Sequence, residues 1–410
     1  MPRLTRRDLL LRATAIGCSA AASPLVTPVA FASAPTENRL VVILLRGAMD
    51  GLDLVQPYGD PGLAAARPGY AIGPGDGARD LDGFYALHPA LSGLWPLWQA
   101  GQLGFAHAVS TPYRNQRSHF DGQDLLEAGT QAGTAGLSHA DGWLNRLVQT
   151  LPGARRETAL AVGAEEALIL RGAAPSVAWS PASRLALSPA TADLLSMVYH
   201  DDPLFREAFE DAEFYSGLLH GDFGADDTGE DGMMAMAESL RDGGRTVSPG
   251  SLAGFAAERL RADARIASFS IGGWDTHRGQ DHRMARALDH LAEAITELHA
   301  GLGAEWDRTM VLAMTEFGRT VRINGSGGTD HGTGSAVVMA GGALRGGQVF
   351  GDWPGLGEGD LFDGRDLMPT RDVRAYAAWA MAGLFGSDRA MLERHIFPGL
   401  DLGADPRILL

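Results

Sequence analysis

Residues 40–53 read LVVILLRGAMDGLD, six consecutive apolar residues followed by a polar loop. An uninterrupted apolar run of this length predicts a β-strand buried on both faces, as in a parallel sheet covered by helices. Similar runs occur at residues 103–108, 158–162, 265–271, 309–314 and 336–340. Because these runs alternate with helical stretches, the sequence predicts an α/β fold: a three-layer α/β/α sandwich with a mostly parallel central sheet.

The clearest helix is predicted over residues 281–302. Its apolar residues recur at spacings of four, three, four and three and form one stripe that faces a sheet: Met284, Leu288, Leu291, Ile295 and Leu298. Further helices are predicted at residues 88–100, 189–200, 203–219, 251–264 and 370–384.

The composition excludes several kinds of chemistry. All 34 basic residues are arginine, against 50 acidic residues, and the formal net charge is -16. A chain without lysine cannot form a Schiff base with a carbonyl compound or hold a phosphate with a P-loop lysine. The single cysteine, Cys18, excludes an internal disulfide, a Cys-based zinc site and an iron–sulfur cluster. Since the net negative charge would repel a phosphate backbone, no nucleic-acid partner is predicted.

The N-terminal segment has the pattern of a twin-arginine export signal. TRRDLL at residues 5–10 is followed by an apolar run and by small residues, with a cleavage site after Ala32. We therefore predict a signal peptide over residues 1–32, the twin-arginine translocase as export partner, and a periplasmic mature chain over residues 33–410. An amphipathic start to the first domain is the alternative. No later run is long enough to predict a membrane span in the mature chain.

An acidic segment interrupts the alternation of strands and helices. Residues 201–231 contain eleven acidic side chains and one base, Arg206. The spacing does not fit a helix–loop–helix calcium site, so a solvated insertion is the favoured interpretation. We therefore predict a single α/β domain over residues 33–410, with a cap or insertion at residues 201–250.

Reactive side chains follow the predicted strands at their carboxyl ends. Asp275 and His277 follow one strand, Glu316 and Arg319 follow another, and a glycine-rich loop then adds Asp330 and His331. Ligands of open α/β sheets bind beyond the carboxyl ends of the strands, so one shared site is expected. Carboxylate oxygens and imidazole nitrogens suit a divalent metal. A hydrogen-bonded Asp–His loop is the alternative for either pair alone.

A further polar cluster follows residues 103–108. Ser110, Arg114, Arg117, Ser118 and His119 lie between that strand and a predicted helix. A serine at a helix N-terminus lies where negative charge is stabilised, and arginines can hold phosphate or sulfate in forked geometry. The alternative for Ser118 is an N-cap, with Asp121 at the third helical position.

Six motifs, in order, carry a resemblance to a known family. They are the twin-arginine leader, RGAMDGLD, TPYRNQRSHFDGQDLLEAG, GGWDTH, TEFGRT and GTDHG. Over nearly the whole mature chain they resemble the exported bacterial family known as domain of unknown function 1501. That family is similar to the alkaline-phosphatase/sulfatase superfamily, which implies an alkaline-phosphatase-like fold and a metal-held nucleophile acting on phosphate or sulfate esters.

The resemblance also implies roles for individual residues. Ser118 is the implied nucleophile, with Ser110 as second choice, and Asp50 or Asp53 is the implied ligand after the first strand. The implied metal ligands, for one or two ions of zinc, manganese, calcium or magnesium, are Asp50, Asp275, His277, Asp330 and His331. The implied catalytic set is Ser118, His119, Arg114, Glu316 and Arg319, in which an arginine steadies the anion and Glu316 accepts a hydrogen bond from a ligand imidazole.

The sequence therefore predicts an exported metal-dependent hydrolase whose substrate is a small anionic ester of phosphate or sulfate. Two departures from the superfamily pattern favour an alternative. Four residues separate the first strand from Asp50, and the only histidine after His331 is His395. The alternative is a catalytically degenerate alkaline-phosphatase-like protein acting in periplasmic binding or envelope assembly. An oxidoreductase lacks support because the chain has no dinucleotide fingerprint.

Overall fold

The computed structural model describes residues 36–114, 117–131, 141–163, 167–179 and 248–410. The predicted signal peptide lies outside these residues, as do the predicted helices at residues 189–200 and 203–219. Of the predicted insertion at residues 201–250, only residues 248–250 are described, and they belong to a helix of the main domain.

The described chain contains a large sheet and a small one. The strands are β1 (Arg39–Leu45), β2 (Val55–Gln56), β3 (Arg79–Asp80), β4 (Ala86–Leu87), β5 (Leu103–Ser110), β6 (Ala159–Val162), β7 (Val177–Trp179), β8 (Ile266–Ile271), β9 (Thr309–Thr315), β10 (Ser335–Ala340), β11 (Val349–Phe350) and β12 (Arg371–Asp372). The large sheet has the order β11-β5-β10-β9-β1-β8-β6-β7, and β12 also pairs with β5. The small sheet has the order β2-β4-β3.

The large sheet is parallel except around one strand. β1 pairs in parallel with β8 and β9, and β6 pairs in parallel with β7 and β8. β10 runs antiparallel to both of its neighbours, β5 and β9. Two antiparallel pairings in succession return β5 to the direction of β9. The carboxyl ends of β1, β5, β8 and β9 therefore lie at the same edge of the sheet.

Helices cover both faces of the sheet. They are α1 (Gly51–Leu54), α2 (Pro61–Ala66), α3 (Trp95–Gln99), α4 (His119–Ala128), α5 (Trp143–Thr150), α6 (Pro249–Arg261), α7 (Gln280–Leu302), α8 (Val373–Phe385) and α9 (Arg389–Met391). Short 3-10 segments occupy Pro74–Asp76, Pro89–Leu94, Arg156–Thr158, Leu168–Leu170 and Gly303–Arg308, and a π-helical turn occupies Leu392–Ile396.

The burial of β1 explains why its sequence is apolar without alternation. Val41, Ile43 and Leu45 pack with α6 and α7 in one core cluster. Leu40, Val42 and Leu44 pack with α5 and α8 in a second cluster on the opposite face. Both faces of the strand are therefore covered, which gives the three layers and confirms the predicted fold class.

All six predicted strands are present, as β1, β5, β6, β8, β9 and β10. The predicted stripe on α7 is fully buried, since each of its five apolar residues is 0% exposed. The predicted helix at residues 88–100 is instead a 3-10 segment followed by α3. Pro96 explains the break, because its ring and missing N–H are tolerated only in the first turn of a helix.

Among the described residues, no helix combines the length and the apolar character that crossing a bilayer requires.

Candidate functional site

Three loops at the carboxyl edge of the sheet bring histidines together. His119 is the first residue of α4, which follows β5. His277 lies between β8 and α7, and His331 lies between β9 and β10. Since β5, β8 and β9 all end at this edge, the topology places side chains from distant parts of the sequence next to one another.

The three imidazoles converge through their Nε2 atoms around the carboxylate of Asp275. Nε2 of His277 lies 2.9 Å from Nε2 of His331 and 3.1 Å from Oδ1 of Asp275. Nε2 of His119 and Nε2 of His331 each lie 3.4 Å from the same oxygen. Ligand atoms of His119, Asp275 and His331 all fall within 4.8 Å of one another. We call His119, Asp275, His277 and His331 the histidine cluster.

The other ring nitrogen of each imidazole faces an oxygen. Nδ1 of His119 lies 2.8 Å from Oε1 of Glu316. Nδ1 of His277 lies 3.2 Å from Oδ1 of Asp330, and Nδ1 of His331 lies 3.0 Å from the backbone carbonyl oxygen of Arg117. Carboxylate and carbonyl oxygens only accept, so these contacts place the proton of a neutral His119 or His331 ring on Nδ1. His277 faces a carboxylate oxygen from both ring nitrogens, Asp330 at Nδ1 and Asp275 at Nε2. The Nε2 lone pairs of His119 and His331 are thereby directed towards the centre of the cluster.

Such an arrangement fits a bound cation. Nε2 of His119 is buried and has no hydrogen-bond partner, although buried polar atoms are normally satisfied. Two Nε2 atoms at 2.9 Å must share either a proton or a cation. Imidazole rings that ligate a metal typically donate their second N–H to a carboxylate or a backbone carbonyl, which is the pattern of all three rings here. The donor set of nitrogen and oxygen atoms suits a divalent transition metal.

Arg319 fixes the carboxylate of Asp275. The guanidinium is 0% exposed as a side chain and donates from Nη2 to Oδ1 of Asp275 over 2.6 Å. Its remaining N–H groups donate to four backbone carbonyls, those of Gly47, Ala48, Trp274 and Thr329. Burial disfavours ionisation of Asp275, but the hydrogen bond and charge of Arg319 outweigh it and hold the pKa below its ordinary value. Arg319 is completely buried as a side chain, and each of its three guanidinium nitrogens already donates to a protein oxygen.

Glu316 lies behind His119 and is completely buried. Its Oε1 accepts the backbone N–H groups of Gly47 and Ala48, and its Oε2 accepts the hydroxyl of Thr315. The hydrogen bond to Glu316 raises the pKa of His119, although burial of the ring opposes this shift. The sequence predicted that Glu316 would accept from a ligand imidazole, and the imidazole it contacts is that of His119.

Asp330 contacts the histidine cluster from outside. Its Oδ1 accepts from Nδ2 of Asn324 over 3.1 Å as well as from His277. The bond from Asn324 lowers the pKa of Asp330, against a smaller opposing effect of burial. The carboxylate therefore orients the ring of His277 in this structure, whereas the sequence predicted a direct metal ligand.

The structure does not bring Asp50 into the histidine cluster. Its Oδ1 accepts the N–H of Leu52 at the start of α1, and its Oδ2 lies 2.8 Å from Nη1 of Arg67. Both side chains of this ion pair are at most 2% exposed. Asp53 lies beside it, and burial together with the charge of Asp50 raises the pKa of Asp53. The two aspartates predicted as alternatives for one ligand thus belong to a buried ion-pair network.

The remaining predicted residues lie between β5 and α4. Oγ of Ser118 caps α4 by accepting the N–H of Asp121 over 3.4 Å. Ser110 is the last residue of β5, and its Oγ is buried without a hydrogen-bond partner. Arg114 donates to the backbone carbonyls of Thr111 and Tyr113. Among the described residues, no hydrogen bond joins Oγ of Ser118 to an imidazole or a carboxylate.

The sequence placed His119 in the catalytic set but did not predict that its ring lies beside His331 and Asp275. The pairs Asp275/His277 and Asp330/His331 could be recognised because their members are close in sequence. His119 stands more than 150 residues before them, and only its place directly after a predicted strand exit indicated a site. The sequence also did not predict the partners of Asp50 and Asp53, because neither partner belongs to a local pattern. Arg67 forms an ion pair with Asp50, and Gln280 donates to both aspartates.

The fold and the site define a three-layer α/β protein with a cluster of histidines and a carboxylate beyond the ends of its parallel strands. Residues 101–377 match the family described as "Protein of unknown function (DUF1501)". The chain belongs to that family, which confirms the membership predicted from the six motifs. Among curated proteins, none matches the sequence.

Three solved structures that the chain matches are distant in sequence. A protein in the alkaline phosphatase superfamily from Vibrio parahaemolyticus is 11% identical, with a TM-score of 0.32 over 74% of this chain and 60% of its own. The lipoteichoic acid synthase LtaP from Listeria monocytogenes is 10% identical, with a TM-score of 0.31 over 71% of this chain and 59% of its own. Ps i-CgsB in complex with k-i-k-neocarrahexaose is 8% identical, with a TM-score of 0.37 over 86% of this chain and 72% of its own. The chain thus spans about three fifths of the length of the first two.

Proposed function

We propose that this chain is an exported, metal-dependent hydrolase of phosphate or sulfate esters. The observation that carries the proposal is the convergence of three imidazole Nε2 atoms on Oδ1 of Asp275, with each Nδ1 engaged by an oxygen. A purely structural cluster would not need three imidazole Nε2 atoms gathered around one carboxylate oxygen. His119, Asp275 and His331, with His277 beside them, would hold the divalent cation.

A divalent cation in the histidine cluster supplies Lewis-acid stabilisation of the negative charge that develops on the ester oxygens. Neighbouring residues orient the side chains of the cluster for such a cation. Glu316 and Asp330 orient the rings of His119 and His277, and the carbonyl of Arg117 does the same for His331. Arg319 keeps Asp275 ionised and prevents its carboxylate from turning away.

Ser118 is the proposed nucleophile. It precedes His119 directly and lies at the N-terminus of α4, where the helix dipole and free N–H groups favour negative charge. Its Oγ accepts one hydrogen bond as an N-cap, and the same hydroxyl interacts with the phenol group of Tyr113.

Metal analysis and ester hydrolysis test the proposal together. We expect protein exported with its leader to contain stoichiometric divalent metal and to hydrolyse phosphate or sulfate monoesters. His277→Ala and Asp275→Asn should lose both properties, whereas Ser118→Ala should keep the metal and lose turnover. His395→Ala is the matched control, since His395 is exposed near the C-terminus. Hydrolysis that is unchanged in Ser118→Ala would exclude this serine as nucleophile, and metal-free protein would overturn the metal-dependent reaction.

A second candidate is a metal-binding protein without turnover, acting in periplasmic binding or envelope assembly. The observation that favours it is the lack of a base bonded to Ser118 among the described residues, together with the engagement of Arg114 and Arg319 by protein atoms. Both candidates predict bound metal. They differ in turnover, so stoichiometric metal without hydrolysis across phosphate monoesters, phosphate diesters and sulfate esters would support the second.

A further inference from the structure

A partly open depression adjoins the histidine cluster. It is open to solvent and is lined by Tyr113, Arg117, Phe317, Gly332, Thr333, Arg365 and Asp366. It shares its walls with the cluster, because the ring of Phe317 lies 5.2 Å from the rings of both His119 and His331. Arg365 donates from Nη2 to the backbone carbonyl of His331 over 2.8 Å. A group bound in this depression would therefore lie beside the cluster.

The charges lining the depression leave a surplus positive charge. Arg365 is neutralised by Asp366, whose Oδ2 accepts from Nη2 over 3.0 Å and whose Oδ1 lies 2.9 Å from Nε. Oδ2 of Asp366 also accepts the hydroxyl of Thr333. Arg117 is exposed; among the described residues no carboxylate lies within ion-pair distance of its guanidinium, and Asp366, which interacts with it over a longer distance, is paired with Arg365. In a chain with a net charge of -16, this local excess of positive charge marks a place where an anion is favoured.

The backbone conformation of Arg117 and the hydroxyl of Tyr113 also favour a bound anion. Arg117 has a φ of 55°, in the left-handed region that non-glycine residues rarely adopt and that is concentrated at functional sites. The same conformation is compatible with its carbonyl facing His331 while its side chain lines the depression. The Oη of Tyr113 accepts the N–H of Ser118 over 2.8 Å, so its own proton remains available to donate to a ligand.

We propose that this depression is the subsite for the anionic ester group of the substrate, with Arg117 as the residue that binds the tetrahedral oxyanion and Tyr113 as a second donor. This inference rests on the proposed function, because it takes the ester of that reaction as the ligand. Arg117 takes the anion-binding role that the sequence assigned to Arg114 or Arg319. Arg114 donates to backbone carbonyls, and Arg319 donates to backbone carbonyls and Asp275. Arg117 thus becomes the residue that selects charged esters over uncharged ones.

Titration of full-length protein with inorganic sulfate and inorganic phosphate tests the subsite without requiring turnover. Calorimetry is done before and after removal of metal by chelation, at about pH 8, where histidines of ordinary pKa are neutral. We expect both anions to bind, and Arg117→Gln to weaken binding at least about tenfold, because a charge-assisted hydrogen bond is lost. Arg117→Lys keeps the charge and should weaken binding less. Arg308→Gln, an exposed arginine before β9, makes the same change in net charge and should leave binding unchanged.

The outcomes separate this inference from the proposed function. Sulfate and phosphate binding that depends on Arg117, in protein that hydrolyses no ester, would support the subsite and oppose the hydrolase. Ester hydrolysis with equal anion affinity in the native protein and in Arg117→Gln would overturn the subsite alone. Absence of anion binding to the native protein in both the metal-loaded and the chelated form would also overturn it. Acetate should bind more weakly than sulfate, since it carries one negative charge on two oxygens whereas sulfate carries two charges on four.

Discussion

Glu316 shows how a single buried carboxylate can control the histidine cluster without touching a substrate. It receives hydrogen bonds from Gly47 and Ala48, which follow β1, and from His119 at the start of α4. The carboxylate therefore joins two loops and fixes the ring of His119 with Nε2 directed inwards. Acceptors of this kind typically change metal affinity ten- to a hundredfold when they are lost.

We predict that Glu316→Gln weakens zinc binding by about tenfold or more. The amide keeps the shape and can still accept from the two backbone N–H groups, but it loses the charge that favours the Nδ1 proton of His119. Competition of native and variant protein with a chelator of known zinc affinity measures the effect. Glu297→Gln, an exposed site on α7, is the control. Equal zinc affinities for Glu316→Gln and the native protein would show that His119 does not depend on this carboxylate.

His107 gives a residue-scale prediction on stability that is independent of the cluster. Burial lowers its pKa to about 4, against the weaker opposing effects of two backbone carbonyls and of Asp50. Between about pH 4 and about pH 6.5, the unfolded chain therefore binds more protons than the folded chain. The free energy of unfolding is thus fully retained above about pH 6.5 and falls by about 3 kcal/mol as the pH drops through this window.

Urea unfolding of the native protein and of His107→Gln, measured across this window, checks that expectation. The variant should be less stable at neutral pH, because Nε2 of His107 contacts the carbonyl oxygens of Gly51 and Val55. Its stability should fall less steeply with acid, since the titrating ring is gone. Parallel pH profiles for the two proteins would contradict the assignment.

At the scale of elements, Gln280 connects the first turn of α7 to three loops. Its Nε2 donates to Oδ2 of Asp50 over 2.6 Å and to Oδ2 of Asp53 over 3.1 Å. Its Oε1 accepts the hydroxyls of Thr276 and Thr329, which directly precede His277 of the cluster and Asp330 beside it. The side chain is 0% exposed and all of its hydrogen-bonding capacity is used.

We predict that Gln280→Ala lowers the free energy of unfolding by about 2 to 4 kcal/mol, because two buried carboxylates lose a donor and two hydroxyls lose an acceptor. The same variant should weaken metal binding, since the loops that carry His277 and Asp330 lose their common support. Chemical denaturation and metal titration measure the two effects. Gln348→Ala, an exposed site before β11, should change neither. Unchanged metal affinity in a destabilised Gln280→Ala would limit Gln280 to a role in folding.

The elements differ in how far the sequence could predict them. β1 and β9 could be recognised because strands covered on both faces need only apolar residues, and α7 because one face is covered and its stripe repeats with the helical period. α5 was missed, since its eight residues follow no strong start signal and include the buried polar residues Asn145 and Arg146. The direction of β10 was also open, because an apolar run of six residues does not encode parallel or antiparallel pairing.

The candidate site could likewise be predicted only where its residues are close in sequence. Asp275 and His277 share a local pattern, so the sequence could place them at one strand exit. Whether Asp50 faces the cluster depends on Arg67, which forms its ion pair from the end of α2, and no spacing rule gives that contact. Long-range hydrogen bonds of this kind are fixed by tertiary packing, so only the structure separates a ligand from a supporting carboxylate.

At the scale of the whole molecule, the histidine cluster joins segments that are far apart in the chain. His119 comes from the connection after β5, while Asp275 and His331 follow β8 and β9. A cation bound by all of them closes large loops between distant segments. Because the unfolded chain does not hold these ligands together, the binding free energy adds to the free energy of unfolding.

We therefore predict that zinc at about a hundredfold excess over its dissociation constant stabilises the fold by about 2.7 kcal/mol and raises the melting temperature by a few degrees. Differential scanning calorimetry with and without chelator measures this shift. The combined variant His277→Ala, His331→Ala should lose it, and His395→Ala should keep it. Asp50→Asn distinguishes a structural role of Asp50 from a role as metal ligand. This variant should melt at a lower temperature, because the buried charge of Arg67 loses its partner. It should still show the full increase in melting temperature with zinc. Loss of the shift in Asp50→Asn would make Asp50 a ligand after all, and a shift of equal size in the double histidine variant would place the bound ion elsewhere in the molecule.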